Sequence, residues 1–401
     1  MAEAQWRSFD LCNPTEEHKM LRKMVAEFVT NEVEPQALAN DRAELFNKPL
    51  FLRLGELGLL GVTVPESFGG SEMDSVAAVI AHEEIAASDP GFCLAYLAHA
   101  MLCANNLSVN CSEEQKKKWL PKLCSGEWIG AMAMSEPHVG TDVLGMKSTA
   151  VRQGDHYLLN GRKMWITNGT LDEQGTPADA VLVYAKTPGG ANGGQISTFL
   201  VERGMPGYSV GQKIKDKLGM RASNTAELVF QDCKVPVSHL IGHEGDSTAH
   251  MMRNLQIERL TLAAMSLGIA RRSLDIMIKY SQEREAFGSP LSRFGQIQRF
   301  IADSFAEYHS ARAYVYDTAR QMNLEDSGQR LHSDGVKLVA SPMAKNIADR
   351  AIQVLGGYGY VGEYVVERLW RDAKLLEIGG GTLEAHQKNI TRDLTRATAR
   401  N

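Results

Sequence analysis

The stretch from about Ile129 to Ile241 differs in texture from everything around it, and that change limits the fold more than any single motif. Short runs rich in β-branched and aromatic residues follow one another there: "HYLLNGRKMWITNG", "DAVLVYAK", "ISTFLVER" and "AELVFQDCKVP". Such runs read as strands, Asn160-Gly161 reads as a two-residue hairpin turn between two of them, and "TPGGANGGQ" reads as a loop. On either side the apolar period is helical. "EEHKMLRKMVAEFVTNEVEP" sets Leu21, Met24, Val25, Phe28 and Val29 on one face and is expected to stop before Pro35. "DSVAAVIAHEEIAASDPG" is expected to end at Pro90 and Gly91, and "SEEQKKKWLPKLCSGE" opens with a serine cap and closes on Gly126. Towards the C-terminus long helices are expected over 246–284, 290–323 and 329–355, with shorter ones after Gly362 and Leu383. The expected division is a helical domain over 1–128, a β domain over 129–241 and a helical bundle over 242–401.

Composition narrows the function classes. A net charge of -5 leaves no basic field for nucleic acid or anionic lipid, and no run of 18 apolar residues suggests insertion into a membrane. Six cysteines are scattered without metal-binding spacing and read as reduced thiols. "MAEAQWRSFD" resembles neither a signal peptide nor an Arg-rich transit peptide, and import into an organelle stays open. "GYGYVG" (357–362) follows a helical run, so it reads as a Gly-rich helix end and not as a dinucleotide loop, which needs a strand before it. "GYSVG" (207–211) has no apolar helix behind it to carry a nucleophile elbow. His239 and His243 read as solvated loop histidines, and Lys116 to Lys118 as a solvated helix face.

One residue is out of place. Met251, Leu255, Glu258, Leu262, Met265 and Ile269 share a helical stripe, and all but Glu258 are apolar. A carboxylate facing an apolar interior costs several kcal/mol unless it is paired or protonated. Either it is a buried ion pair, with Arg259 or a distant base as partner, or it moves protons.

Six windows in order, "AMAMSEPHVGTDVLGMKSTA", "LNGRKMWITNG", "KLGMRASNTAELVF", "REAFGSPL", "AIQVLGGYGY" and "RDAKLLEIGGGT", resemble those of the acyl-CoA dehydrogenases across residues 10 to 395. The resemblance implies an α+β fold: an N-terminal helical domain, a central β-barrel or sandwich and a C-terminal four-helix bundle. It implies bound FAD, a homotetramer, an acyl-CoA substrate oxidised to its trans-2-enoyl thioester, and electrons passed to an electron-transfer flavoprotein. Carried over by position, Met132, Met134, Ser135, Gly140 and Thr141, with Trp165, Ile166 and Thr167, match the segments beside the flavin ring. Arg284 and Phe287 match the pair that meets the cofactor's pyrophosphate and adenosine across a subunit boundary. Gln353, Gly356 and Gly357 match the neighbouring subunit's close backbone approach, and Thr382 and Glu384 a further FAD contact. Thr141, Gln256, Ile257, Arg259, Gly379, Gly380 and Gly381 match substrate positions.

Most of the family places its base just before "GT", where this chain has Gly380; the isovaleryl-CoA and long-chain branches place it in an "ERL" context, here Glu258-Arg259-Leu260. The resemblance therefore implies Glu258 as the α-proton base and leaves the N-H of Gly380 as an oxyanion donor. Gly379, a tyrosine in many relatives and a glycine in isovaleryl enzymes, implies room for a short branched acyl chain, with isovaleryl-CoA of leucine catabolism first. Ala249, where those enzymes usually have tyrosine, and Gly295 before Gln296 depart from the pattern. A longer straight-chain dehydrogenase, an oxidase and a silent flavin-binding member are the alternatives. The compartment implied is the mitochondrial matrix in a eukaryote and the cytoplasm in a bacterium.

Overall fold

A computed structural model describes residues 9–189, 194–326 and 328–398. Helices occupy both ends. The first, Glu16–Phe28, is capped by the Thr15 side chain, which accepts from His18 N-H. It does not stop before Pro35: a π-type turn over Val29–Val33 feeds helix Glu34–Ala43, whose first turn holds that proline. There a ring without an N-H breaks no hydrogen bond, so the proline starts a helix instead of ending one. Pro90 likewise opens helix Pro90–Leu97, behind an Asp89 cap. Ser112 and Gln115 form the expected capping box, and Gly126 closes that helix at φ +82°. Pro90–Asn110 is apolar and long enough to cross a membrane, yet 83% of that window lies inside the protein.

The middle of the chain makes one eight-stranded sheet. Its strands are β1 (Gly130–Ala133), β2 (Thr149–Gln153), β3 (His156–Thr167), β4 (Ala180–Thr187), β5 (Gln195–Glu202), β6 (Tyr208–Lys213), β7 (Thr225–Pro236) and β8 (Leu240–Ile241). They run in the order β6-β7-β3-β2-β4-β5-β8, with β1 parallel to β4. The hairpin assigned to Asn160-Gly161 is not there: the turn is Gly154-Asp155, joining β2 to β3 with Gln153 opposite His156. Gly161 lies inside β3 at an irregularity against β7, where a Cβ would run into Ser148 Oγ. Asn160 reaches across to Asp232 (3.0 Å and 2.8 Å), so its side chain ties two strands and closes no turn. Residues 190–193 of the "TPGGANGGQ" loop lie outside the described residues. His239 is buried, against the expectation of a solvated loop: its ring meets Leu200 O (3.0 Å) and packs edge-on against Trp119.

Helices Ser247–Glu283, Gly295–Gln321, Arg330–Leu355, Val366–Leu376 and Leu383–Thr398 complete the chain. The second begins at Gly295, later than the expected 290, because a 3-10 turn over Leu291–Arg293 follows the two-strand turn of residues 285–290. Helices from both ends fill one apolar core, while the inner face of the sheet fills another. The fold is mixed and mostly helical, and Ser247–Glu283 passes through its middle.

Candidate active site

Two groups of the sequence-derived residues emerge, at opposite ends of helix Ser247–Glu283. The first surrounds Glu258. That side chain is only 8% exposed, and its Oε2 has no hydrogen-bond partner. The ion-pair reading fails in the geometry: the guanidinium of Arg259 turns to Asp334 (2.9 Å), and among the described residues Glu258 forms no salt bridge. Burial raises its pKa, while the charges of Arg259 and Lys337 work against that rise. The carboxyl is thus poised to hold and release a proton.

Gly380 lies directly against it. A Cβ at Gly380 would stand 3.4 Å from Glu258 Oε1 and run into Leu262, and φ there is +66°, so the position excludes a side chain. Leu262 fills the space that a Cβ at 380 would enter, with the Glu258 carboxyl in ordinary contact beside it. The Gly379 N-H donates to Leu375 O (2.8 Å), whereas the Gly380 N-H takes no partner among the described residues. Gly379 itself is unconfined: a Cβ there would meet Leu375 only at ordinary contact, 3.6–3.9 Å. Gly381, at φ +105°, and Thr382, whose hydroxyl accepts from Ala385 N-H (3.2 Å), lead into the last helix, which carries Glu384 in its first turn.

The strand segments are joined to this group. Ser135 O accepts from Met164 N-H (2.9 Å), which sets Met132, Met134 and Ser135 beside Trp165, Ile166 and Thr167. One turn before Glu258, Asn254 points its amide at Met132 (3.6 Å to Sδ) and leaves its own Oδ1 unpartnered. Gly140 and Thr141 lie exposed in the turn that follows. Trp165 is 56% exposed at φ +61°, a large ring held outward on a costly backbone. Sequence reasoning missed what holds this wall in place. Fully buried Lys163 donates to Met134 O (3.1 Å) and Glu136 Oε1 (2.9 Å), and Glu136 takes Ser148 N-H and Oγ-H. A lysine at a buried alternation position of β3 was the available signal. Gln256 and Ile257 are buried on other faces of the helix; Gln256 Oε1 accepts from Gln329 N-H (2.8 Å).

The second group lines a cavity of about 460 Å³, with Arg284, Gly356 and Gly357 among its walls beside Tyr280 and Tyr358. Nothing stands within 4 Å of where a Cβ on Gly356 or Gly357 would project, so bare backbone faces open space. Phe287, at φ +50°, is 98% exposed, and Gln353 is exposed outside the cavity. A guanidinium, bare glycine backbone and outward aromatic rings fit a phosphate-bearing aromatic cofactor.

Comparison with known proteins decides the family. Models of the acyl-CoA dehydrogenase N-terminal, middle and C-terminal domains match residues 15–127, 131–233 and 248–395. The chain belongs to the acyl-CoA dehydrogenase family. It is 43% identical over 384 residues to the mitochondrial isovaleryl-CoA dehydrogenase of Pongo abelii, covering 94% of this chain and 88% of that one. The butyryl-CoA dehydrogenase of Megasphaera elsdenii superposes with a TM-score of 0.89 at 34% identity, over 95% of this chain and 98% of that one. A chain solved in work on the electron transferring flavoprotein of Acidaminococcus fermentans gives 0.90 at 37% identity, over 95% and 98%. As an acyl-CoA dehydrogenase the protein is an FAD oxidoreductase that acts on acyl-CoA. The fold is that family's: helical, then a sheet, then helical.

Proposed function

We propose that the protein dehydrogenates a short branched acyl-CoA, isovaleryl-CoA to 3-methylcrotonyl-CoA, with Glu258 as the base. The observation that carries this is the orphaned, desolvated carboxylate of Glu258 lying against a left-handed Gly380. The α-proton goes to Glu258 while a hydride leaves the β-carbon, so two electrons and two hydrogens leave the substrate. The Met132 to Thr141 and Trp165 to Thr167 segments would hold FAD, which would supply the hydride acceptor. The Gly380 N-H meets the thioester oxygen as negative charge develops there. Gly379 leaves space beside the acyl chain, and the 43% identity to an isovaleryl enzyme points the same way.

The cofactor also bears on assembly. At about 1.5 Å per residue, helix Ser247–Glu283 carries Glu258 and Arg284 about 39 Å apart, farther than one FAD molecule reaches. That separation, together with the family resemblance, supports the reading that the Arg284, Phe287, Gln353, Gly356 and Gly357 group serves the FAD of a neighbouring copy, as in a homotetramer. Electrons leave to an electron-transfer flavoprotein.

Anaerobic titration of the visible spectrum tests the reading. Isovaleryl-CoA should bleach the flavin band faster than butyryl-CoA or a C12 straight-chain thioester. Faster bleaching by butyryl-CoA would move the substrate to the straight short-chain class, to which the Megasphaera relative belongs by name. A spectrum that stays oxidised with every thioester would overturn the enzyme reading itself.

A further inference from the structure

The turn that carries Gly380 is held from below by buried charge. Lys337 Nζ donates to both Leu376 O (2.8 Å) and Gly381 O (2.8 Å), spanning the turn from its start to its end. Arg259 Nε donates to Gly380 O (3.3 Å). His386 Nε2 lies 3.0 Å from the same Gly381 O, and its Nδ1 lies 2.6 Å from Asp334 Oδ1, which also binds Arg259. Asp334, Lys337 and His386 are all fully buried. Three carbonyls of one short turn are thus anchored by side chains from three different helices.

Proton counting gives this cluster a second property. A neutral imidazole has one N-H, yet both nitrogens of His386 face oxygens: a carbonyl, which only accepts, and the Asp334 carboxylate. Both contacts are satisfied only when the His386-Asp334 pair holds one extra proton. We propose that Asp334, Lys337 and His386 are positioning residues for the reaction, fixing the Gly381 carbonyl and with it the turn whose Gly380 lies against Glu258. This rests on the acid-base reading of Glu258 given above. The charged groups around the clamp are Glu258 and Arg259 on one helix, Arg330 on the next, and Glu377 beside the turn. Burial draws Lys337 down to about 7 and lowers His386 as well, against the pull of Asp334. As pH rises the His386-Asp334 pair gives up its shared proton and with it one of its two contacts, whereas Lys337 loses its charge but keeps two N-H donors for its two carbonyls; while charged, Lys337 lowers the proton affinity of Glu258.

The test uses the FAD-loaded enzyme and an acyl-CoA with sulfur in place of the β-carbon, which can lose an α-proton but no hydride. Exchange of that proton with deuterated water, followed by NMR across pH, reports base and amide without any electron transfer. In the parent enzyme the rate should rise as Glu258 ionises and fall again on the alkaline side. Lys337→Met should move the acid midpoint up by about one pH unit, whereas Lys337→Arg should restore it. His386→Gln, which keeps a donor for Gly381 but loses the shared proton, should shift the alkaline limb and slow exchange about tenfold, less than removal of a direct oxyanion donor. Both variants slowed by one factor at every pH, with midpoints unmoved, would reduce the cluster to scaffolding. Should Lys337→Met not fold, His386→Gln decides alone. A parent enzyme that shows neither exchange nor bleaching would sink the acid-base reading and the clamp with it. Bleaching with normal exchange but unmoved midpoints sinks only the clamp.

Discussion

Among the described residues Glu258 combines two features: it sits in an apolar stripe with its Oε2 unpartnered, and it lies against a glycine where a side chain would be strained. Replacing it by Gln keeps the shape and removes the base. Glu258→Gln should retain FAD and bind acyl-CoA while slowing flavin reduction by about three orders of magnitude, read by stopped-flow bleaching. Normal reduction in that variant would rule the residue out. Gly380→Ala should be as damaging for a steric reason: the added Cβ meets Leu262 at a positive φ. Because burial raises the Glu258 pKa, the base is protonated and idle below a midpoint higher than an exposed glutamate shows, and the reduction rate should fall as pH drops through it. The stripe made Glu258 legible in the sequence, since a helical period turns one wrong letter into a signal. Asp334 and Lys337, three residues apart in another helix, carry the same kind of signal and were passed over. His386 carries none, because its partners come from the turn before it and a helix some fifty residues earlier.

Between elements, a buried ion cluster that no motif announces ties three helices together. Glu83, inside helix Ser75–Ala86, meets Arg22 of the first helix and Arg312, Tyr308 and Tyr316 of helix Gly295–Gln321. Burial alone would raise its pKa, but Arg312, Arg271 and Arg22 outweigh that and hold it at about 2. Its folded pKa lies below its unfolded one, so its contribution to stability is full above about pH 4.5 and is lost between there and pH 2. Glu83→Gln takes from Arg312 its carboxylate partner, while Arg22 and Arg271 keep Glu84, and thermal or denaturant unfolding should show a loss of about 3–5 kcal/mol. A loss below about 1 kcal/mol would mean the arginines find other partners. The strand Gly161 offers a similar check on the sheet: Gly161→Ala, forced against Ser148 at an unfavourable φ, should destabilise by about 1–3 kcal/mol. Local dipeptide chemistry misread this site, because Asn-Gly favours hairpin turns and equally suits a strand irregularity with a bond to the next strand. Pro35 was misread for a related reason. Pattern shows that a proline breaks a ladder, and only the neighbouring π-type turn shows which side of the break it stands on.

At the scale of the molecule, the alternation of helix, sheet and helix was legible because period 3.6 and period 2 cannot be confused over a hundred residues. That both helical ends share one core was not, since pairing between distant helices leaves no local trace. The same holds for the separation of the Glu258 and Arg284 groups along helix Ser247–Glu283. Phe287, fully outward at a positive φ, together with exposed Tyr360 and Val361, presents apolar surface next to the Arg284 cavity. If those residues serve a neighbour's cofactor, loss of the contact must cost FAD in a subunit whose own flavin wall is untouched. Phe287→Asp should therefore lower the ratio of flavin to protein absorbance and, in light scattering, shift the particle to smaller mass, with the melting of the isolated fold little changed. A mixed assembly sharpens the point. Combining Phe287→Asp chains with chains whose Trp165 segment is impaired should restore FAD to some sites, because each parent lacks a different half. Absence of any restoration, with both proteins folded and associated, would place the whole cofactor site within one chain and remove the reason for the oligomer.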